Sequence, residues 1–202
     1  LVHRDVKPGN ILIGNNGEPY LVDFGLALRE ENMGRGSKYA GTPAYMSPEQ
    51  ARGEGHRVDG RSDIFSLGVV FYQLLAGRQP FRGDTQAELF EQVTSYETKP
   101  LRQYNEKLPK ELERICHKAM AKRASERYSS AHDLAEDLRQ GGAAETMSAQ
   151  TGSPSPTTTA STRGLRCFCL RLYSITPSRF VVSTDEVQCR LCLLSFHTLQ
   201  CS

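Results

Sequence analysis

Apolar residues near the start of the chain come in two short runs, Ile11 to Ile13 and Tyr20 to Val22, on either side of Gly14, Asn15, Asn16 and Gly17. Short apolar runs separated by turn-forming residues predict a β-hairpin. From Arg61 the period changes. Ile64, Phe65, Leu67, Val69, Val70, Phe71, Leu74 and Leu75 occupy almost every side of a 3.6-residue repeat. This predicts a core helix from Arg61 to Leu75, buried nearly all round, with Gly77 as its stop. A second helix is predicted from Gln86 to about Ser95, capped by Asp84 or Thr85. A third starts with Pro109 in its first turn and buries Leu112, Ile115, Cys116, Ala119 and Met120. A shorter fourth begins at Ser130, which has capping-box spacing to Asp133, and turns Leu134 and Leu138 toward the body.

The pattern then stops. Residues 141–164 are small, polar and Pro-containing, the composition of a flexible linker. Residues 165–202 form an irregular Cys- and Arg-containing tail without sustained period, expected to be disordered apart from a short strand near Phe180. The division expected is therefore residues 1–140 as the folded domain, 141–164 as linker and 165–202 as tail.

Composition narrows the function classes. With 38% hydrophobic and 24% charged residues and a net charge of +2, the chain is neither a polyelectrolyte nor a membrane bundle. Of its charges, 20 basic and 20 acidic side chains precede residue 141, leaving five Arg and three acids after it, so neither part is a nucleic-acid-binding polycation. No run of about 18 apolar residues and no signal-peptide order occurs, so no membrane segment is expected in this chain and the location expected is cytoplasmic. Five of the six cysteines crowd the tail, where Cys167, Cys169, Cys189 and Cys192 offer four thiolates for zinc. A CxC and a CxxC without Gly turns do not make a standard zinc knuckle, and a thiol-bearing tail is the reading preferred.

Chemistry concentrates at the N-terminus. His3, Arg4, Asp5, Val6, Lys7, Pro8, Gly9 and Asn10 put an acid, a base and a carboxamide within eight residues, just before the first strand. Asp23, Phe24 and Gly25 follow at the end of the second strand, and a hairpin brings Asp23 back beside Asn10. Mg²⁺ takes oxygen ligands and is held by one or two protein groups plus substrate phosphates, which suits an Asp and an Asn on adjacent loops. Asp5 is then free to accept a proton from a hydroxyl nucleophile, and Lys7 to offset charge on a transferring phosphoryl group.

HRDVKPGN, then DFG, then GTPAYMSPE, then DGRSDIFSLGVV resemble, in order and spacing, the signature set of the protein kinase family. Within it the segments are most similar to bacterial-type (Hanks-type) serine/threonine kinases, over residues 1 to about 140. The resemblance implies an α+β fold, the kinase-like large (C-terminal) lobe, mostly helical with a short β-hairpin. It implies transfer of the γ-phosphoryl group of Mg-ATP to Ser or Thr hydroxyls of protein substrates, with ATP and Mg²⁺ as cofactors. Asp5 would be the catalytic base, Lys7 the phosphate-contacting lysine, and Asn10 and Asp23 the metal ligands. Arg4 would pair with a phosphate on the activation loop, for which Ser37 is the first candidate, and Thr42 would position substrate and anchor that loop. Glu49 would form a buried ion pair with Arg127, Asp63 would hold the backbone of the HRD segment, and His3 would be a packed structural residue.

No Gly-rich phosphate loop, paired Lys and Glu or adenine-reading hinge precedes His3, and the GNNG of residues 14–17 reads as a turn. The small lobe is thus expected to be absent and the fragment inactive without it. Singly, Asp5, Lys7, Asn10 and Asp23 read as turn, cap or solvated residues; their order and spacing together favour the kinase. The alternatives are a non-catalytic kinase-like interaction module, binding partners through a helical face that includes Thr85 to Ser95, or a degenerate gene fragment. Leu12 and its neighbours are expected to be exposed on an open face that could self-associate.

Overall fold

The two apolar runs at the start pair with each other, the second strand lying one residue earlier than its apolar run. In the computed structural model, which describes residues 1–28 and 40–148, β1 (Ile11–Ile13) lies antiparallel to β2 (Pro19–Leu21), with Ile11 opposite Leu21 and Ile13 opposite Pro19. The second strand begins before Tyr20 because the Gly14 N–H donates to the Glu18 carbonyl at 2.8 Å, so the turn takes in Glu18 and sets Pro19 opposite Ile13. Proline, with no N–H to give a ladder, sits at the first position of its strand. Val22 lies beyond the strand, yet its N–H still donates to the Asn10 carbonyl at 2.9 Å.

Four longer helices follow a short one. Helix α1 (Pro48–Ala51), which no apolar period announces, is capped by Ser47 in a reciprocal box with Gln50. Helix α2 (Gly60–Ala76) starts where the Asp59 carboxylate accepts the Arg61 N–H and ends at Gly77, whose φ of 66° gives the left-handed stop. Phe65, Val69, Val70, Phe71 and Tyr72 are buried, but Leu74 is 47% exposed, so the core helix is open along one side of its last turns rather than covered all round. Helix α3 (Gln86–Ser95) is capped by Thr85, whose hydroxyl accepts the Glu88 N–H while the Glu88 carboxylate returns to the Thr85 N–H. Helix α4 (Lys110–Ala119) has Pro109 as its cap and buries Leu112, Ile115, Cys116 and Ala119, with Met120 just beyond.

Helix α5 (Ala131–Ser148) differs from its expected length. The Ser130 and Asp133 exchange is present, and Leu134 and Leu138 are buried, but the helix is 18 residues long and runs into the stretch read as linker from residue 141. The reason lies at Gly141: a Cβ there would come within 3.4 Å of Glu111 and Ile115, so its bare backbone packs on α4. A residue without a side chain, read as linker composition, is here a close contact between helices. Ser37 and the 165–202 tail lie outside the described residues.

The core is built on α2, with α4 packed across it, α5 on α4 and α1 on α3. The crossing of α2 and α4 is tight at Gly68. A Cβ at that position would meet Met120 Cγ at 2.8 Å and Ala119 Cβ at 3.0 Å, and the Cys116 thiol points at the Gly68 carbonyl. Gly68→Ala gains helix propensity yet should lower stability by about 1–3 kcal/mol, because a methyl forced into a full core displaces neighbours. Urea unfolding checks this, and a variant as stable as the parent would show that α4 can move away freely.

Candidate active site

The segment before β1 is held in a shape it would not take alone. Arg4 has φ of 71°, the left-handed region that non-glycine residues rarely occupy. Asp63, half-buried in the first turn of α2, fixes it from one side: its two carboxylate oxygens accept the His3 N–H at 2.7 Å and the Arg4 N–H at 2.8 Å. Burial pushes the Asp63 carboxyl up, against the pull of those two donors. The His3 ring accepts the Asp5 N–H at Nδ1, which leaves Nε2 to donate to the Val22 carbonyl at 3.1 Å, and it meets Phe24 edge-on at 4.8 Å. His3 is thus a buried strut between this loop and the end of the hairpin.

From that base Asp5 presents its carboxylate to three side chains. Oδ1 accepts both the Thr42 N–H and the Thr42 hydroxyl at 2.7 Å; Oδ2 accepts Lys7 Nζ at 2.7 Å and Asn10 Nδ2 at 3.2 Å. Lys7 Nζ also donates to Thr42 Oγ1 at 2.8 Å, closing a triangle of carboxylate, hydroxyl and ammonium. Burial raises the Asp5 pKa, but the hydrogen bonds from Lys7 and Thr42 outweigh it and hold the carboxyl below its ordinary range. A carboxylate so placed can orient a hydroxyl and take its proton, with a cation beside it for developing negative charge.

The hairpin closes on itself so that the backbone of Asn10 lies beside the residue before Asp23. The bond from the Val22 N–H to the Asn10 carbonyl sets the end of the second strand beside the start of the first. Asn10 is buried, and its Nδ2 is used on the Asp5 carbonyl at 2.9 Å as well as the Asp5 carboxylate, so its side-chain oxygen is the end left for a ligand. Asp23 is exposed, with φ of 65°, one oxygen accepting the Gly25 N–H. The pair offers only hard oxygen donors, as Mg²⁺ with phosphates requires. Among the described residues no group of three or more His, Cys, Asp or Glu converges on a point, which leaves an all-protein metal cage unsupported there.

The expected ion pair between Glu49 and Arg127 is present. It is buried and two-pronged, at 2.8 and 2.9 Å. The Arg4 side chain is buried, which lowers its guanidinium pKa, while Asp63 pulls it back up. Its expected phosphate partner, Ser37, falls outside the described residues.

One residue of the site escapes reading from the sequence. Gln50 Nε2 donates to the Arg4 carbonyl at 2.9 Å and to the Ala40 carbonyl at 3.2 Å. The only local signal is its spacing from Ser47, which announces a helix cap and nothing about the loop 46 residues earlier.

Comparison with known proteins bears on this geometry. Residues 1–138 match the protein kinase domain family. The chain is 42% identical over 142 residues to a probable serine/threonine-protein kinase PknB of Bifidobacterium longum, covering 68% of this chain and 20% of that protein. It is 41% identical over 143 residues to the serine/threonine-protein kinase PknB of Mycolicibacterium smegmatis, covering 68% and 22%. It is also 44% identical over 140 residues to the DNA damage-responsive serine/threonine-protein kinase RqkA of Deinococcus radiodurans, covering 67% and 20%. The chain spans about a fifth of the length of these curated relatives.

Proposed function

The chain belongs to the protein kinase family, as a bacterial-type serine/threonine kinase, and on that premise we propose that residues 1–140 are a large lobe that carries phosphoryl transfer from Mg-ATP to Ser or Thr hydroxyls of proteins. The observation that carries this is the cluster at Asp5: a carboxylate held ionised by Lys7 and Thr42 and bonded to Asn10, whose free side-chain oxygen suits Mg²⁺. Asp5 orients the acceptor hydroxyl and takes its proton. Lys7, already 2.7 Å from that carboxylate, offsets the charge that gathers on the phosphoryl oxygens. Asn10 and Asp23 would hold the cation, which would supply charge neutralisation to the phosphates. Asp63 and His3 keep the loop in its strained shape while this happens.

Leu12, Ile13, Tyr20, Phe24 and Leu26 are exposed on the hairpin and the turn that follows it, with Leu12 and Tyr20 directly opposite each other and so on one face. That apolar face fits a nucleotide and a lobe that closes over it, and transfer is proposed to need such a lobe in place. No helix among the described residues is long and apolar enough to cross a membrane.

The test is phosphorylation of a generic Ser/Thr protein substrate by this chain joined to an ATP-binding small lobe. Asp23→Asn should lower the rate about 10²–10³-fold, the scale for removing one charge-stabilising group at a transferring phosphoryl centre. Nucleotide affinity measured without Mg²⁺ should not change. An Asp23→Asn enzyme as fast as the parent would remove Asp23 from the metal site.

A further inference from the structure

Gln50 is 2% exposed, and its amide joins three segments of the site. The oxygen accepts the Ser47 N–H at 3.0 Å and the Ser47 hydroxyl at 3.1 Å, while the two amide hydrogens go to the Arg4 and Ala40 carbonyls. Every hydrogen-bonding position of the amide is thereby used. Capping α1 needs only the oxygen; the nitrogen is surplus to that task and points into the catalytic loop.

The place it points to is where two chain segments cross. Arg4 carries its left-handed backbone here, with its N–H on Asp63 and its carbonyl on Gln50. The other segment passes so close that a Cβ on Gly41, whose φ is 121°, would lie 2.6 Å from the Arg4 carbonyl oxygen. One residue beyond the crossing on each segment stand Asp5 and Thr42, whose N–H and hydroxyl both meet Asp5 Oδ1. A shift of the crossing by a fraction of an ångström would loosen those 2.7 Å contacts first.

We propose that Gln50 is a positioning residue for phosphoryl transfer: its amide clamps the Arg4–Asp5 peptide to the Ala40–Thr42 segment and so sets the Asp5, Thr42 and Lys7 cluster. The role in transfer rests on the kinase reading; the clamp itself does not.

Gln50→Glu separates the clamp from the cap, because it keeps the oxygen and the shape but replaces the two donors by a carboxylate facing two carbonyls. Amide hydrogen exchange is measured on the full chain in peptides spanning residues 1–12 and 40–46. Protection at neutral pH should fall about tenfold to a hundredfold, as expected when buried hydrogen bonds are lost and acceptors left unmet. It should recover in part at acid pH, where the introduced carboxyl gains a proton and one donor. Ser47→Ala, which weakens the cap and keeps the amide nitrogen, should leave both peptides protected. If Gln50→Glu fails to fold, Gln50→Met removes the donors without a charge and is read against Ser47→Ala in the same way. Parent-like exchange in the Gln50 variants, or equal loss in Ser47→Ala, overturns the clamp.

With the small lobe joined, Gln50→Glu should lower kcat and leave the nucleotide KM unchanged, with kcat recovering toward acid pH as exchange does. A parent that transfers no phosphate would overturn the kinase reading and the role in transfer, whereas unchanged exchange would overturn the clamp alone.

Discussion

Arg127→Met should cost the fold about 3–5 kcal/mol, the scale for stranding one member of a buried ion pair. All five guanidinium hydrogens have acceptors: the two Glu49 oxygens and the carbonyls of Arg61, Ala121 and Lys122. Its plane also lies 4.9 Å over the Phe65 ring. Arg127 therefore ties α1, the start of α2 and the α4–α5 connection at a single point, and methionine restores its bulk while leaving the Glu49 charge without its counter-ion and the Ala121 and Lys122 carbonyls without their donor. Arg127→Lys should not rescue it, because one ammonium cannot reproduce a fork of five fixed donors. Urea unfolding of the parent and the two variants checks this.

The pH dependence sharpens the same expectation and changes sign between the proteins. In the parent, burial pushes Glu49 up, but the Arg127 donors, its charge and the Ser62 hydroxyl outweigh it and hold the carboxyl below its ordinary range. The unfolded chain then binds protons first, so this stabilisation is complete above the unfolded value of about 4.3 and is lost as pH falls through the lower folded value. In Arg127→Met burial, the largest influence, is opposed only by Ser62 and a backbone N–H, the folded pKa rises above the unfolded one, and the variant should gain stability as pH falls through it. A variant that loses stability with acid in parallel with the parent would show that Glu49 has found another cation.

Features that depend on neighbours a few residues away were legible in the sequence; those set by distant contacts were not. Thr85 with Glu88, Ser130 with Asp133 and Gly77 announce their helix ends because caps are local. The second strand starts one residue before its apolar run because the pairing is decided by the Gly14–Glu18 and Asn10–Val22 bonds, while the apolar pattern of Tyr20, Leu21 and Val22 does not fix a register. The extension of α5 was hidden for a related reason: Gly141 looks like linker until α4 is beside it. The site divides in the same way. Motif order and spacing pointed to Asp5, Lys7, Asn10, Asp23 and Thr42. Gln50 acts through a carbonyl 46 residues earlier, and no local period encodes that partner.

Asp5→Asn should lower phosphoryl transfer by about 10²–10⁴-fold in the chain joined to its small lobe, the range for losing a positioned general base. The substitution does more than remove a proton acceptor. Oδ1 faces two donors on Thr42 and Oδ2 faces Lys7 and Asn10, so whichever oxygen becomes an NH₂ is turned against donors it cannot accept from. The Lys7 ammonium also loses its counter-ion. Mg-nucleotide affinity should survive, because Asn10 and Asp23 remain. A pH profile distinguishes proton transfer from mere disorder of the loop. Because Lys7 and Thr42 outweigh the upward push of burial, the Asp5 pKa is low, and the acid limb of kcat/KM should lie below the ordinary carboxylate range. Thr42→Val deletes the hydroxyl donor while keeping its volume, so the base should protonate more easily and the acid limb should move to higher pH. If the limb stays fixed in Thr42→Val while Asp5→Asn is inactive, Asp5 holds the site together and another group takes the proton.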